Sequence, residues 1–384
     1  MTATLENQTY PLWINGAQVP GAGGATMEVR NPYDDSVIGS VAVATEADVD
    51  AAVQAARAAF DGAWAKVAAP KRAKLLFKLA DLIRANADEL ATLETRNAGK
   101  PISAAKGEML HAADVFDYYA GLAGKIQGET IPTLPNFMSY TSWEALGVCA
   151  LIIPWNFPMV MAAWKLAPAL AAGNTCVLKP SELTPLTALR LAELAGEAGF
   201  PAGVLNVVNG PGETVGAYLA GHQGVDKIAF TGGTETGRAV MTAAAKGIKR
   251  VTLELGGKSP GIVFADANMD EAVAGSLYAI YDNCGQACNA RSRVFIQESV
   301  YDDFVAKFVE KAASIKVGDP LDPKTQVGAL ISKEHWDKVH GYVTLGQQEG
   351  ATLLAGGAKP EGLEGGHFYG LTALGDVTNA MRVA

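Results

Sequence analysis

From residue 148 to about residue 264 the chain repeats one pattern: a short apolar run, a turn rich in Gly, Pro, Asn or Ser, then a helical stretch. That order constrains the fold more than any other feature. Parallel strands need a crossover of a dozen or more residues, normally a helix, so such a chain builds βαβ units around a mainly parallel sheet. The runs at 149–153, 175–178, 205–208, 227–230, 251–253 and 261–264 are the expected strands, and helices at 185–198 and 236–246 lie between several of them. Beyond residue 270 the alternation continues with longer helices at 271–283, 299–315 and 333–348, which reads as a second α/β domain. Upstream, 46–61, 71–97 and 102–124 carry helical periodicity with a charged face. Asn97-Ala-Gly-Lys-Pro101 is the expected stop between the last two. From 126 to 143, Thr, Tyr, Pro and Asn replace Ala, which predicts extended chain or a hairpin.

The chain has 384 residues, 49% hydrophobic. A single core rarely grows beyond about 250–300 residues, so two domains are expected. A formal net charge of −9 argues against nucleic acid or an anionic membrane as partner. Four cysteines (Cys149, Cys176, Cys284, Cys288) in so long a chain do not make a disulfide framework, and the five scattered histidines make a metal site improbable. The polar start predicts no signal peptide. Residues 146–164 lack charge, but Pro154, Asn156 and Pro158 would break a spanning helix. The expected setting is soluble and cytoplasmic.

Five segments carry candidate chemistry. Cys288 lies in Asn283-Cys-Gly-Gln-Ala-Cys-Asn-Ala-Arg-Ser-Arg293, downstream of Glu254 in Leu253-Glu-Leu-Gly-Gly-Lys-Ser-Pro260. They read as nucleophile and general base, or equally as a structural thiol and a surface carboxylate. Phe230-Thr-Gly-Gly-Thr-Glu-Thr-Gly237 follows a strand and opens a helix, where glycines and helix N–H groups can receive a phosphate or simply make a turn. Lys179-Pro-Ser-Glu182 ends a strand, and its carboxylate suits ribose hydroxyls or a helix cap. Pro154-Trp-Asn-Phe-Pro158 holds the Asn156 amide on a stiff loop, either as an oxyanion donor or as an Asx-turn.

Taken together and in this order, from Leu12-Trp-Ile-Asn-Gly16 and Asn31-Pro32 onward, these segments resemble the aldehyde dehydrogenase superfamily, of the hydrolytic NAD(P)-dependent kind. The resemblance implies an α/β fold: a Rossmann-like cofactor domain with a parallel sheet, a second, incomplete α/β catalytic domain, and a protruding hairpin. It implies an NAD-binding domain at 1–125 and 147–255, an oligomerisation hairpin at 126–146 and a catalytic domain at 256–384. It makes Cys288 the nucleophile, Glu254 the general base, Asn156 with the Cys288 N–H the oxyanion donors, and Lys165 part of a proton relay. Lys179 and Glu182 would contact the adenosine ribose, and Ile153, Pro154 and Trp155 would line the cofactor site. Gly232, Gly233 and Thr234 would hold the pyrophosphate, and Gly256 would approach the nicotinamide. The implied reaction converts an aldehyde to a carboxylate through a cysteine thiohemiacetal and thioester. Glu182 favours NAD over NADP by repelling a 2′-phosphate. The implied partners are a small-molecule aldehyde and further copies of the chain, as a dimer or tetramer. Pocket positions around Phe157, Met161 and Trp164 are apolar or aromatic, which suits an aliphatic or aromatic aldehyde; an aromatic wall also suits a quaternary ammonium.

Two departures qualify the resemblance. Relatives continue beyond the stretch 375–384 into a segment that holds the nicotinamide ribose and completes the catalytic domain. Gly233 stands where many relatives have Ser. Coenzyme A-acylating aldehyde oxidation and a non-catalytic dinucleotide-binding fragment therefore stay open as alternatives. Glu254 speaks against the first, because acylating relatives usually lack that carboxylate.

Overall fold

The computed structural model describes residues 8–384. The chain forms two compact units: residues up to Val29 with Gly39–Ala91 and Lys106–Glu254, and Arg30–Ile38 with Thr92–Ala105 and Leu255–Ala384.

The first unit is organised by a seven-stranded sheet. In spatial order its strands are Arg250–Leu255, Lys227–Gly232, Val148–Ile152, Thr175–Lys179, Leu205–Val207, Leu12–Ile14 and Ala17–Val19. Val148–Ile152, Thr175–Lys179 and Leu205–Val207 run parallel in sequence order, and Lys227–Gly232 then pairs parallel on the other side of Val148–Ile152. Val148–Ile152 and Thr175–Lys179 are buried at every residue, as expected where helices cover both faces of a parallel sheet. Leu12–Ile14 and Ala17–Val19 add an antiparallel edge. Asn15 and Gly16 join them with φ of 55° and 76°, a two-residue turn matching the twist of the flanking strands.

The expected helix at 71–97 is two helices, Ala69–Ala85 and Ala87–Ala98. Asn86 leaves helical geometry at φ −107°, and its side-chain amide donates to the Leu82 carbonyl at 2.7 Å. A side chain that takes a backbone acceptor offers the chain an alternative to continuing the helix. Gly99, at φ +76°, ends the second helix where the Asn-Ala-Gly-Lys-Pro signal predicted. The segment expected as a hairpin contains the antiparallel pair Thr130–Ile131 and Ser139–Tyr140. Leu134, Phe137, Met138, Tyr140 and Trp143 are exposed along it.

In the second unit Pro260–Val263 pairs parallel with Arg293–Ile296. Val263 packs with Val273 and Leu277 of helix Met269–Tyr281 and with Phe304, Phe308 and Ala312 of helix Tyr301–Ala313. Leu330, Val343 and Tyr369 form a smaller core beside helix Lys333–Gln348. No helix among the described residues is long and apolar enough to cross a membrane.

Candidate active site

The strand order of the first unit reverses between Val148–Ile152 and Lys227–Gly232. Ligands of open α/β sheets bind outside the carboxyl ends of strands at such a reversal. Asn156 follows the first of these strands, and Gly233 and Thr234 follow the second. Lys179 ends the neighbouring strand. Arg250 N–H donates to the Asp226 carbonyl at 3.3 Å, so Arg250–Leu255 starts where Lys227–Gly232 starts and carries Glu254 to the same end. The sheet thus gathers the residues of four expected segments.

Pro158 opens helix Pro158–Ala171 at its first turn, a position where a missing N–H costs nothing. Lys165 lies two turns along this helix and is shifted down to about 8. Burial is the main cause, the Glu254 carboxylate opposes it, and Lys227 adds to it. Lys165 and Glu254 therefore interact electrostatically.

Lys179 is buried, and its ammonium pairs with Glu182 at 3.0 Å. Burial lowers the Lys179 pKa against the opposing pull of Glu182. At Glu182 burial pushes the carboxyl up, but Lys179 and backbone N–H groups, including that of Gly212, outweigh it and leave the group below its ordinary value. Glu182 is accordingly an anion ready to accept hydrogen bonds. Ile153 N–H donates to the Lys179 carbonyl at 3.1 Å, which ties the Ile153-Pro154-Trp155 stretch to that strand end.

Gly233 caps helix Thr234–Ala245 in extended geometry, and a Cβ there would meet no atom within 4 Å. The helix N-terminus thus faces open space. Beside it, the buried Thr231 hydroxyl has no hydrogen-bond partner among the described residues. A helix start with open space, an unsatisfied hydroxyl and a buried lysine paired with a part-exposed glutamate fit a dinucleotide's phosphates and ribose.

Cys288 lies in the second unit and is the exposed thiol of the four. Burial pushes Cys149 and Cys284 up to about 12 and Cys176 well above its ordinary value. The thiolate is the reactive form, and burial disfavours it at the other three thiols. Its amide N–H has no hydrogen-bond partner among the described residues, as an oxyanion donor requires. A Cβ at Gly257 would come to 3.4 Å from the Cys288 carbonyl oxygen, so Gly257 passes close to the thiol's backbone. Gly256, the other glycine there, borders open space.

Sequence reasoning missed the scaffold of the Cys288 turn. Asn283 and Cys284 adopt left-handed φ of 48° and 59°. Buried Gln286 accepts from Ile331 N–H at 3.0 Å and donates to the Asn283 carbonyl at 3.2 Å. Nearby in the same unit, Lys100 pairs with Glu94 at 3.5 Å, both side chains fully buried. Burial raises the Asp282 pKa, and Lys100 opposes the shift. Two amides three residues apart just before a thiol were the available signal.

The model of the aldehyde dehydrogenase family matches residues 19–384. The chain is 48% identical to 5-carboxymethyl-2-hydroxymuconate semialdehyde dehydrogenase of Escherichia coli over 97% of its length and 80% of that protein's. It is 46% identical to human retinal dehydrogenase 2 over 100% of its length and 74% of that protein's. The NAD+ complex of a Bacillus cereus aldehyde dehydrogenase superposes with a TM-score of 0.96 at 45% identity, covering 98% of this chain and 76% of that one.

Proposed function

Because this chain belongs to the aldehyde dehydrogenase family, and so oxidises an aldehyde with NAD, we propose that Cys288, Glu254, Asn156 and Lys165 carry the reaction. The observation that carries this reading is the gathering of Asn156, Glu254, the Lys179–Glu182 pair and the Gly232-Gly-Thr turn at one end of one sheet. The exposure of Cys288 alone among the thiols supports it.

The Cys288 thiolate adds to the carbonyl carbon as the C=O π electrons move onto oxygen. That oxygen is held by the Asn156 amide and the Cys288 N–H. NAD, when bound, supplies the hydride acceptor through which the adduct becomes a thioester. Lys179 and Glu182 would hold its ribose, Gly232, Gly233 and Thr234 its pyrophosphate, Ile153, Pro154 and Trp155 its flank, and Gly256 its nicotinamide end. Glu254 then takes a proton from water, the hydroxide adds to the thioester, and carboxylate and thiol are released. Lys165, in its neutral form, takes the proton onward from Glu254, a form that grows as the pH approaches its pKa of about 8.

An aldehyde panel followed by NADH absorbance, with acid products analysed with and without coenzyme A, tests this reading. Carboxylate formed without coenzyme A is expected; NAD binding with no aldehyde-dependent NADH would contradict it. The exposed apolar side chains of the 126–146 hairpin suit pairing with further copies of this chain, and four free thiols suit a reducing cytoplasm.

Three further outcomes are expected. Asn156→Ala lowers kcat by about 10²–10³-fold, the usual cost of one oxyanion donor, as steady-state kinetics would measure. Glu182→Gln removes the charge facing a 2′-phosphate and releases Lys179, so the NADP-to-NAD ratio of kcat/KM rises about tenfold or more. For Lys165, the folded pKa of about 8 lies below the unfolded value near 10.4. Between these values the unfolded chain holds more protons, so this lysine makes stability rise with pH across that window. Urea unfolding across it should show that rise in the parent protein and a flatter profile in Lys165→Met.

A further inference from the structure

Left-handed backbone is costly for any residue with a Cβ, and it persists where the surroundings hold it in place. Asn283 and Cys284 form two such residues in a row just before Cys288. One side of the turn is clamped by the segment 328–331. The Cys284 thiol donates to the Ala329 carbonyl at 3.7 Å, and Gln286 accepts from Ile331 N–H. Ala329 N–H donates in turn to the Gly99 carbonyl at 3.1 Å. A Cβ at Gly328 would collide with that same Gly99 oxygen, so the two segments approach as closely as glycine allows.

Lys100 follows Gly99. Its side chain is fully buried, and so is that of Glu94, with 3.5 Å between the charged atoms. A buried ion pair adds little stability, because desolvation offsets the attraction, and an apolar pair of similar size often does as well. The placement of this pair beside the turn supplies a different reason for it. Burial raises the Asp282 pKa, while the Lys100 ammonium and the Asn283 N–H oppose the shift. Burial also raises Cys284 to about 12, against the Gly328 N–H and the same ammonium. Lys100 thus attracts the carboxylate that holds Asn283 N–H, while its own neighbour Gly99 holds the segment that clamps Cys284.

Building on the assignment of Cys288 as nucleophile, we propose that Lys100, its charge balanced by Glu94, is a positioning residue. It draws the Asp282 carboxylate inward, keeps the Asn283–Cys284 turn left-handed, and so fixes the backbone that presents the Cys288 thiol and N–H. It acts through the turn and not on the aldehyde.

The test is single-turnover NADH formation, with enzyme and NAD in excess over the fastest aldehyde of a panel from acetaldehyde to hexanal and benzaldehyde. Lys100→Met combined with Glu94→Gln removes both charges and keeps side-chain size, so the fold should survive, as urea unfolding would check. NADH formation should still slow by about 10–100-fold, the scale of a misplacement of about 1 Å. NAD affinity by calorimetry and the aldehyde KM should change little. Asp282→Asn, at a partly exposed residue, reads the same link without disturbing the core and decides alone if the double variant does not fold. It should slow the reaction in the same way, and Asp282→Glu should recover part of the rate. A pair that only stabilised the fold would leave parent-like rates in the folded double variant and in Asp282→Asn. Either result overturns the inference and leaves Cys288 as nucleophile. No NADH from any aldehyde in the parent protein, or an acyl group on a residue other than Cys288, defeats the nucleophile assignment and this inference with it.

Discussion

Cys288→Ser should lower kcat by about 10⁴-fold or more, comparable in kind to losing the nucleophile of a serine protease, while NAD binding is retained. A serine hydroxyl is scarcely ionised at neutral pH, so the attacking anion is lost. No other thiol can substitute. Cys149 and Cys284, raised to about 12 by burial, are ionised at pH 7 to only about one part in 10⁵. Cys176 is fully buried inside the central sheet. Aldehyde-dependent NADH formation measures the loss, and calorimetric titration with NAD checks that the dinucleotide site survives. Activity kept within a few-fold of the parent would mean that sulfur at this position is not the nucleophile.

Glu254→Gln should separate the two halves of the reaction. Thioester formation uses the Cys288 sulfur and the oxyanion donors, whereas hydrolysis also needs a base for water. Glutamine keeps the size of the side chain and can no longer take a proton. Rapid mixing should show a burst of about one NADH per site, the mark of an accumulating acyl-enzyme. Turnover after it should be slower by about 10²–10⁴-fold. Burst and steady state falling together would assign Glu254 to the first half instead. The exposed position of Glu254 on the outermost strand makes a folding defect a poor explanation for any change.

Elements with one strong local cause were legible in the sequence. Val148–Ile152 is a continuous apolar run and Thr175–Lys179 has an apolar centre because both sheet faces are covered, and helix Glu46–Asp61 follows a Thr45 cap with Asp48 completing the capping box. The break at Asn86 was not legible: the apolar period carries on across it, and only a side-chain hydrogen bond stops the helix. Nothing local marks 30–38 and 92–105 as packing with the second unit, since that depends on contacts far apart in the chain. At the candidate site, residue types and spacing pointed to Cys288, Glu254 and the strand-end segments. The left-handed pair Asn283 and Cys284 and the Gln286 bridge were hidden, because backbone strain and amide partners depend on the fold.

The most direct measurement is mass spectrometry of Glu254→Gln protein, quenched in acid after mixing with NAD and an aldehyde and then digested. The acyl group of that aldehyde, as a thioester, is expected on the peptide containing Cys288. An acyl group on Cys284 or another residue, or an unmodified Cys288 after NADH has formed, would contradict it.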